Sequence, residues 1–390
     1  GDALLFFRMG DFYELFHEDA REAAKVLGIT LTARSKANGG IPMAGVPARS
    51  YEGHLHTLIR AGYRVAICDQ VEDPKQAKGI VERRVTRIVT AGTLYEDDLL
   101  DRATSNFLLA VQPAGERCGL AWLDVSTGSF HVTELDTARV PDEVSRLDPA
   151  EIVLPDEFLD GGDEAATNLA DGLRRVTNAP LVPGATWTFD RENARQLLHE
   201  ILGVATLEGF GLEGHEPVVS AAGAALAYVR ETQRGQAPPV SSLRRHDPSD
   251  RAGLDRATRS CLELIATQRE GRREGSLLSV MDETGTAMGA RLLRDWLVAP
   301  LIDPESIVRR QSAVAELVDR RDVHGDIESL LADVPDVERI ATRLLADRGS
   351  PRDLSAPGTA LRVAPALRAR LTECASVPLA EAAQAIEPLP

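Results

Sequence analysis

The chain has 390 residues, 43% of them hydrophobic, and a formal net charge of −16 at pH 7. This length exceeds what one core usually organises, so we expect about two to four domains. No apolar run approaches the roughly 20 residues that span a bilayer, and no signal peptide is visible, so we expect a cytoplasmic protein without a membrane anchor. The four cysteines lie far apart, which predicts reduced thiols and neither a disulfide nor a zinc framework.

The charge is unevenly distributed. Residues 1–91 carry 13 basic and 11 acidic side chains, whereas the remainder carries 31 basic and 49 acidic ones. The same 91 residues hold seven of the 17 aromatic side chains. A surface that binds a polyanion is therefore expected in this first segment and not in the acidic remainder.

The first segment predicts a small mixed α/β unit. An apolar run over Ala3–Phe7 is typical of a buried strand. Asp11 followed by Glu14 has the spacing of a capping box, which predicts a helix that begins at Asp11 and ends at Gly28. We further predict a short strand at 29–32, a basic loop at 34–40, a turn-rich segment at 41–47, a helix at 51–61 and strands at 63–69 and 81–90.

Two residues in this stretch have alternative interpretations. In the predicted helix, Phe12 shares an apolar stripe with Phe16 and so fits a core position, but it is also placed to contact a partner. Glu14 fits a capping residue better than a carboxylate that reads a ligand, but both roles can coexist because capping leaves one carboxylate oxygen free. The residues alone leave both questions open.

The rest of the chain divides into a linker and two units. Residues 92–105 are acidic and irregular, as a linker would be. Residues 106–216 predict three consecutive strands, a further strand at 151–154 and intervening helices, which is again an α/β pattern. Residues 217–390 predict an all-α unit with helices that include 221–232, 254–267, 286–297, one capped by Asp303 before Pro304, and 336–345.

Several long motifs carry a resemblance to a known family. The sequences LLFFRMGDFYELF at 4–16, IPMAGVP at 41–47 and VERRVTRIVTAGT at 81–93 closely resemble the bacterial MutS family of DNA mismatch repair proteins. The similarity continues through LDVSTG at 123–128, MDETGTAMGARLLRDWLVAPL at 281–301, DVERI at 336–340 and PRDL at 351–354. These motifs follow the family order over nearly the whole chain.

The resemblance implies a domain plan and a binding site. Residues 1–91 would form the mismatch-binding domain, residues 106–216 a ribonuclease-H-like connector, and residues 217–390 the first part of the helical core and lever domain. The phenylalanine and glutamate of the family's F-x-E motif map onto Phe12 and Glu14. Phe12 would then wedge between bases and stack on a mismatched or unpaired base, and Glu14 would hydrogen-bond that base.

The basic residues of the first unit are candidate phosphate contacts. By default they are solvated surface charges, and as contacts they would position the DNA without reading its sequence. Met43 fits a core filler, but the family places its segment near DNA. The full set of candidate DNA contacts is Arg34, Lys36, Met43, Arg83, Arg84 and Arg87.

Asp124 supports an alternative function. A carboxylate in the first of several consecutive strands is typical of ribonuclease-H-like nucleases, which hold metal ions between several carboxylates. Glu134, Asp148 and Glu151 follow no recognisable spacing around it, and the family's connector is not catalytic, so Asp124 is interpreted as structural. A further interpretation, a scaffold whose connector recruits the MutL protein, is compatible with mismatch recognition.

The resemblance also implies what this sequence omits. It contains no G-x-x-x-x-G-K-[ST] loop for a nucleotide phosphate. The family carries its ATPase and most dimer contacts in a C-terminal domain, and it has a clamp that holds the duplex. We expect neither part in this sequence. We therefore expect no enzyme activity, no metal and no cofactor in this chain, whereas a full-length member would be a homodimer that uses ATP and magnesium and binds mismatched duplex DNA and MutL.

Overall fold

The computed structural model describes residues 3–34, 40–72, 81–159, 164–236, 238–240 and 242–387. Its first unit is a six-stranded mixed sheet in the order β3-β4-β2-β1-β5-β6. The strands are β1 Ala3–Met9, β2 Phe12–Phe16, β3 Thr32–Arg34, β4 Ile41–Pro47, β5 Arg64–Gln70 and β6 Arg83–Val89. Only the β1–β5 pair among these is parallel, so the predicted small mixed α/β unit is confirmed.

Two helices cover one face of this sheet. Helix α1 runs from His17 to Leu27 and ends at Gly28, whose φ of 65° is the left-handed conformation that glycine adopts without strain. Helix α2 is Tyr51–Arg60. Their inward side chains form the core with the strands: Ala20, Ala23, Ala24, Leu55, Leu58 and Ile59.

The predicted helix start at Asp11 is wrong. Residues Phe12–Phe16 form the interior strand β2, which pairs antiparallel with β1 on one side and β4 on the other. Hydrogen bonding to two neighbours and burial of Tyr13 and Leu15 outweigh a capping pattern that requires only local contacts. Glu14 is therefore a strand residue and not a helix cap.

Two other predictions for this unit need correction. The segment predicted as turn-rich, Ile41–Pro47, is strand β4, and the strand predicted at 29–32 begins at Thr32. Arg87, expected to be accessible, is 7% exposed. Its guanidinium forms an ion pair with Glu96 and lies 3.3 Å from the Tyr51 hydroxyl, so it anchors the following segment to the first core.

The second unit is also a six-stranded sheet, in the order β11-β10-β7-β8-β9-β12. Its strands are β7 Leu108–Ala114, β8 Arg117–Asp124, β9 Ser129–Asp136, β10 Glu151–Pro155, β11 Leu181–Gly184 and β12 Ser242–Arg245. The three consecutive strands and the strand at 151 are confirmed. Helices α3 Val140–Leu147 and α4 Glu164–Val176 lie on one face, and α5 Arg191–Leu202 and α6 Glu216–Thr232 on the other.

Helix α6 belongs with this sheet. Thirteen of its 17 residues are buried, among them Val218, Ala222 and Leu226, in one cluster with residues of β7, β8 and β9. The boundary predicted at residue 216 therefore separates α6 from the sheet that it covers. An Ala-rich helix gives no sign in sequence of which unit buries it.

The rest of the chain is helical, as predicted. Its helices are α7 Arg256–Cys261, α8 Leu277–Met281, α9 Ala287–Val298, α10 Pro304–Asp319, α11 Arg321–Ala332, α12 Val337–Leu345, α13 Pro351–Thr372 and α14 Val377–Ala385. The predicted Asp303 cap is confirmed, since its carboxylate accepts the Ser306 N–H at 2.8 Å. The predicted helix at 254–267 is wrong beyond Cys261, because Glu263 has a φ of 47°, which ends a right-handed helix.

Buried arginine side chains join the helical unit to the segment before β7. The side chain of Arg339 in α12 is 1% exposed. It donates to the carbonyl oxygens of Asp101 at 2.9 Å and Thr104 at 2.7 Å, and to the Ser126 hydroxyl at 3.1 Å. One guanidinium therefore connects a helix, a connecting segment and the turn between β8 and β9.

Two further arginines hold the same segment. Arg291 in α9 binds the Asp336 carboxylate through two hydrogen bonds of 2.7 and 2.9 Å and donates to the Arg102 carbonyl at 3.1 Å. Arg343 in α12 binds Asp97 at 2.8 Å. The segment predicted as a linker is thus irregular but bound along its length.

A buried carboxyl group joins the first unit to the second. Glu151 in β10 accepts from the Thr90 hydroxyl at 2.5 Å, the Gly92 N–H at 2.9 Å and the Tyr228 hydroxyl at 2.6 Å. Burial raises the pKa of Glu151, against the effect of these three donors. The end of β6, strand β10 and helix α6 therefore share one hydrogen-bonded centre.

We predict that the buried His131 makes stability depend on pH. Its ring stacks on Trp122 at 5.6 Å between centroids, and burial, then the charges of His246 and Arg244, lowers its pKa to about 4. An imidazole whose pKa is lower in the folded than in the unfolded state stabilises the fold above pH 6.5, and that stability is lost as the pH falls toward 4. The free energy of unfolding should fall by about 1 kcal/mol between pH 7 and pH 5.5 from this group.

Urea unfolding at several pH values measures this effect. The His131→Gln variant should lose less stability than the wild type over the same interval. Parallel pH profiles for the two proteins would show that His131 is not held neutral in the fold.

We also predict that helices α5 and α6 tolerate no side chain at Gly223. A Cβ there would lie 2.3 Å from the Ala194 Cβ, whereas a Cβ at Gly53 in α2 would meet nothing within 4 Å. Gly223→Ala should therefore cost about 1–3 kcal/mol through overpacking. Gly53→Ala should stabilise by about 0.5–1 kcal/mol, because alanine favours the helix. Thermal unfolding compares the pair, and equal melting temperatures would contradict the close helix contact.

Candidate nucleic-acid interface

The face of the first sheet opposite its helices carries the predicted F-x-E residues. Side chains alternate between faces along a strand, so Tyr13 and Leu15 of β2 enter the core while Phe12, Glu14 and Phe16 lie on the other face. Phe12 is 48% exposed, next to the turn at Gly10 and Asp11. The structure therefore favours the partner-contact interpretation of Phe12 over the core interpretation.

Tyr13 fixes β2 from the core side. Its hydroxyl donates to the Asp69 carboxylate at 2.7 Å, and its ring packs on Phe6 and Tyr51 with centroid distances of 5.8 and 4.9 Å. Burial, followed by the bond to Asp69, raises the pKa of Tyr13. The residue between Phe12 and Glu14 thus sets where both side chains point.

Cross-strand neighbours continue the open face around these residues. Phe12 lies between Met9 and Pro47, and Glu14 lies between Phe7 and Gly45. Phe16 pairs with Met43, which is half-buried on the same face. The face is therefore mostly apolar, with one carboxylate in its middle.

Gly45 leaves space beside that carboxylate. A Cβ at this position would lie 3.8 Å from Phe12 Cδ1 and 3.9 Å from Glu14 Cγ. A Cβ there would make ordinary van der Waals contacts with both side chains, whereas a larger side chain would project from the strand beside them. The glycine keeps the surface low between the two residues.

Two arginines flank the open face. Arg83 lies over Phe7, with its guanidinium carbon 5.4 Å from the ring centroid, and it donates to the Arg8 carbonyl at 2.7 Å. Arg34 lies over Phe16 at 5.7 Å, and its Nη1 is 3.4 Å from Glu14 Oε2. Cation–π contacts of this length are favourable and leave guanidinium N–H groups accessible to a ligand.

The structure separates the other predicted contacts. Arg84 is exposed and pairs with Glu82 at 3.0 Å. Arg87 lies on the core side and is not available to a ligand. Lys36 lies outside the described residues. Sequence reasoning missed Phe7 and the position of Phe16 on the open face. The signal was the period-two alternation of side chains that strands would give to LLFFRM and FYELF.

Asp124 has a structural role in the second unit. It is fully buried, and its oxygens accept the backbone N–H groups of Asn106 and Ser126, both at 2.9 Å, and the Ser126 hydroxyl at 2.6 Å. These bonds hold the turn between β8 and β9, in agreement with the structural interpretation. Among the described residues there is no group of three or more histidine, cysteine, aspartate or glutamate side chains that could hold a metal ion.

Comparison with known families follows the order of the three units. Family models described as MutS domain I, MutS domain II and MutS domain III match residues 1–98, 106–243 and 257–388. The chain belongs to the MutS family. The second match extends over α6 and the first two residues of β12, and both of these elements pack in the second unit.

Curated relatives named DNA mismatch repair protein MutS are similar over nearly the whole chain. The protein from Rhodopirellula baltica is 43% identical over 396 residues, and that from Syntrophomonas wolfei is 43% identical over 380 residues, each match covering 96% of this chain. The protein from Symbiobacterium thermophilum is 42% identical over 97% of the chain. The matched region is 43–44% of each relative, so this chain spans less than half of their length.

In the part of the chain that the structure describes, no helix has both the length and the apolar character that a bilayer crossing requires.

We predict that Phe12 contributes little to stability. Leu15 is fully buried in the same strand, three residues after Phe12, so Leu15→Ala should cost about 2–5 kcal/mol of unfolding free energy. Phe12→Ala should cost less than about 1 kcal/mol, because the ring is half in solvent. Urea unfolding of both variants measures this difference. If Phe12→Ala lowered the free energy of unfolding as much as Leu15→Ala does, Phe12 would have to be packed in the core.

Proposed function

We propose that this chain recognises mispaired and unpaired bases in duplex DNA, as the base-sensing part of a MutS protein. The observation that carries the proposal is the placement of Phe12 and Glu14 side by side on an exposed face that the fold does not need for its core. The membership in the MutS family and the names of the relatives support the same function.

Phe12 would act as a wedge that enters the minor groove. Inserting an apolar side chain unstacks a base step at a cost of a few kcal/mol and kinks the duplex. A mismatched base is already poorly paired and stacked, so this cost is smaller at a mismatch. Stacking of the base on the Phe12 ring then recovers about 1–3 kcal/mol and tolerates any base. Discrimination thus comes from the ease of deformation.

Glu14 would contact the same base. A carboxylate near phosphates is repelled, so it disfavours binding to intact DNA and offsets that penalty where a displaced base supplies a donor. A protonated Glu14 that donates to a base acceptor serves the same purpose. Both forms need the open position that Gly45 leaves beside the carboxylate.

The basic residues around the face would hold the backbone of the DNA. Arg34, Arg83 and Arg84 are our proposed phosphate contacts, with Met43 in apolar contact near the groove. Such contacts fix register and supply affinity that depends on salt.

The other units would support this recognition in a full-length family member. We propose that residues 106–245 form a ribonuclease-H-like connector, on the basis of three consecutive antiparallel strands followed by parallel ones, and that the helices after it form the core and lever. For the full-length protein we propose a cytoplasmic homodimer that uses ATP and magnesium and recruits MutL. This chain would bind without catalysis.

We predict that Phe12→Ala abolishes the preference for mismatched DNA. Fluorescence anisotropy should show tighter binding of the wild-type chain to a G·T duplex than to the same duplex with a G·C pair. Loss of the stacking contact should reduce this preference about 10- to 100-fold, while weak binding to both duplexes persists.

The control is Trp187→Ala, which removes an exposed aromatic side chain from the second unit. It should leave the preference unchanged. Equal loss of affinity for the two duplexes in Phe12→Ala would contradict the wedge, and a wild-type chain with no preference would contradict the proposed function.

A further inference from the structure

Among the residues that the structure describes, Arg34 is the cation that pairs with Glu14 on the open face. It lies in the edge strand β3 opposite Ile41 of β4, and β4 in turn pairs with β2. The Arg34 guanidinium reaches across β4 to Glu14, on the side where Gly45 carries no side chain. The Nη1–Oε2 distance of 3.4 Å therefore joins two strands that are not neighbours in the sheet.

The two arginines that flank this face are held differently. Arg83 donates to two backbone carbonyls, those of Arg8 at 2.7 Å and Val81 at 2.8 Å, which fix its position. Within the described part of the chain, the Arg34 side chain has one long ion pair and one ring contact, and it is 52% exposed. An exposed ion pair of this kind contributes little free energy, so Arg34 can exchange its partner at small cost.

We propose that Arg34 is the counter-ion of Glu14 in the DNA-free protein, and that it exchanges the carboxylate for a DNA phosphate only when Glu14 bonds a mispaired base. The proposal rests on the proposed function and adds a specificity-determining residue to it. Arg34 acts through Glu14 and does not read the base itself.

On matched DNA the exchange does not occur. An intact base pair offers Glu14 no free donor, and a carboxylate that gave up Arg34 would stand uncompensated beside the phosphates. Glu14 therefore keeps its ion pair with Arg34, and in the matched complex Arg34 makes no contact with a phosphate.

On mismatched DNA the exchange is favourable. The displaced base satisfies Glu14, and a protonated Glu14 would hold a guanidinium no more strongly than a carbonyl does. In either form Arg34 is released to a phosphate. The mismatched complex thus gains one charge-assisted contact that the matched complex lacks.

The salt dependence of DNA binding reports how many phosphates the protein contacts. Each phosphate neutralised adds about 0.9 to the slope of log K against log salt concentration. The affinity of the chain for a G·T duplex and its matched control is measured by anisotropy across a salt series. Arg34→Gln should lower the slope by about one on the mismatched duplex and leave the matched slope unchanged.

Glu14→Gln provides the reciprocal measurement. It frees Arg34 on matched DNA, so it should raise the matched slope by about one. The double variant Arg34→Gln/Glu14→Gln should lose this increase. A purely structural role for either residue would not move the slopes in this pattern.

The control is Arg84→Gln, which removes an exposed arginine that has no contact with Glu14. Any change that Arg84→Gln causes in the salt slope should be equal for the mismatched and the matched duplex. Both arginines are exposed, so neither substitution should disturb the fold. Thermal unfolding of each variant checks this.

Two failures are distinguishable. If the wild type prefers the mismatch but Arg34→Gln changes both slopes equally, or neither, the exchange is wrong and the proposed function stands. If the wild type binds both duplexes equally, the proposed function fails and the exchange with it.

Discussion

The fold depends on how the polar backbone of one connecting segment is satisfied. Residues 97–104 lie between the two sheets in sequence and against the helical unit in space. Their carbonyl groups would be costly to bury without donors. Arg339 and Arg291 supply those donors from α12 and α9, and Arg343 binds Asp97. Each guanidinium has several N–H groups in a fixed plane, so one side chain serves more than one unit.

This dependence runs in both directions. Without the segment, the buried Arg339 would lose two of its acceptors, which is strongly unfavourable, whereas Arg291 and Arg343 would each lose one contact and keep a carboxylate partner. Without the arginines, the carbonyl oxygens would lose their donors. Removing either side therefore destabilises the other, and the second sheet and the helices fold as mutually dependent parts.

Much of the fold could be predicted from sequence. Strong apolar runs predicted β1 and β7–β10, and local capping chemistry predicted the helix after Asp303. The errors have a common cause. The capping pattern at Asp11, the turn-like residues at 41–47 and the apparently accessible Arg87 are local signals, and each was overridden by a partner distant in sequence. A single sequence shows the local signals, but it does not show which residues distant in sequence become partners.

The candidate site shows the same division. The choice of Phe12 and Glu14 came from a motif, whereas their common face came from strand pairing. A helix would have placed Phe12 in line with Phe16 over the core, and the strand places both on the open side. The neighbours Phe7 and Gly45 are brought in by β1 and β4, so they could be found only once those pairings were known, whereas Met43 was already a candidate from its motif.

The Glu151 centre limits how far the first sheet can move relative to the second unit. It joins Thr90 at the end of the first sheet to Tyr228 in a helix of the second unit, and it is fully buried. A rotation of the first sheet that displaced Thr90 would leave a buried acid short of a donor. The two sheets should therefore move together as one stiff body. If Phe12 enters a duplex as we propose, the strain of that insertion would fall on the base steps and not on a hinge between the two sheets.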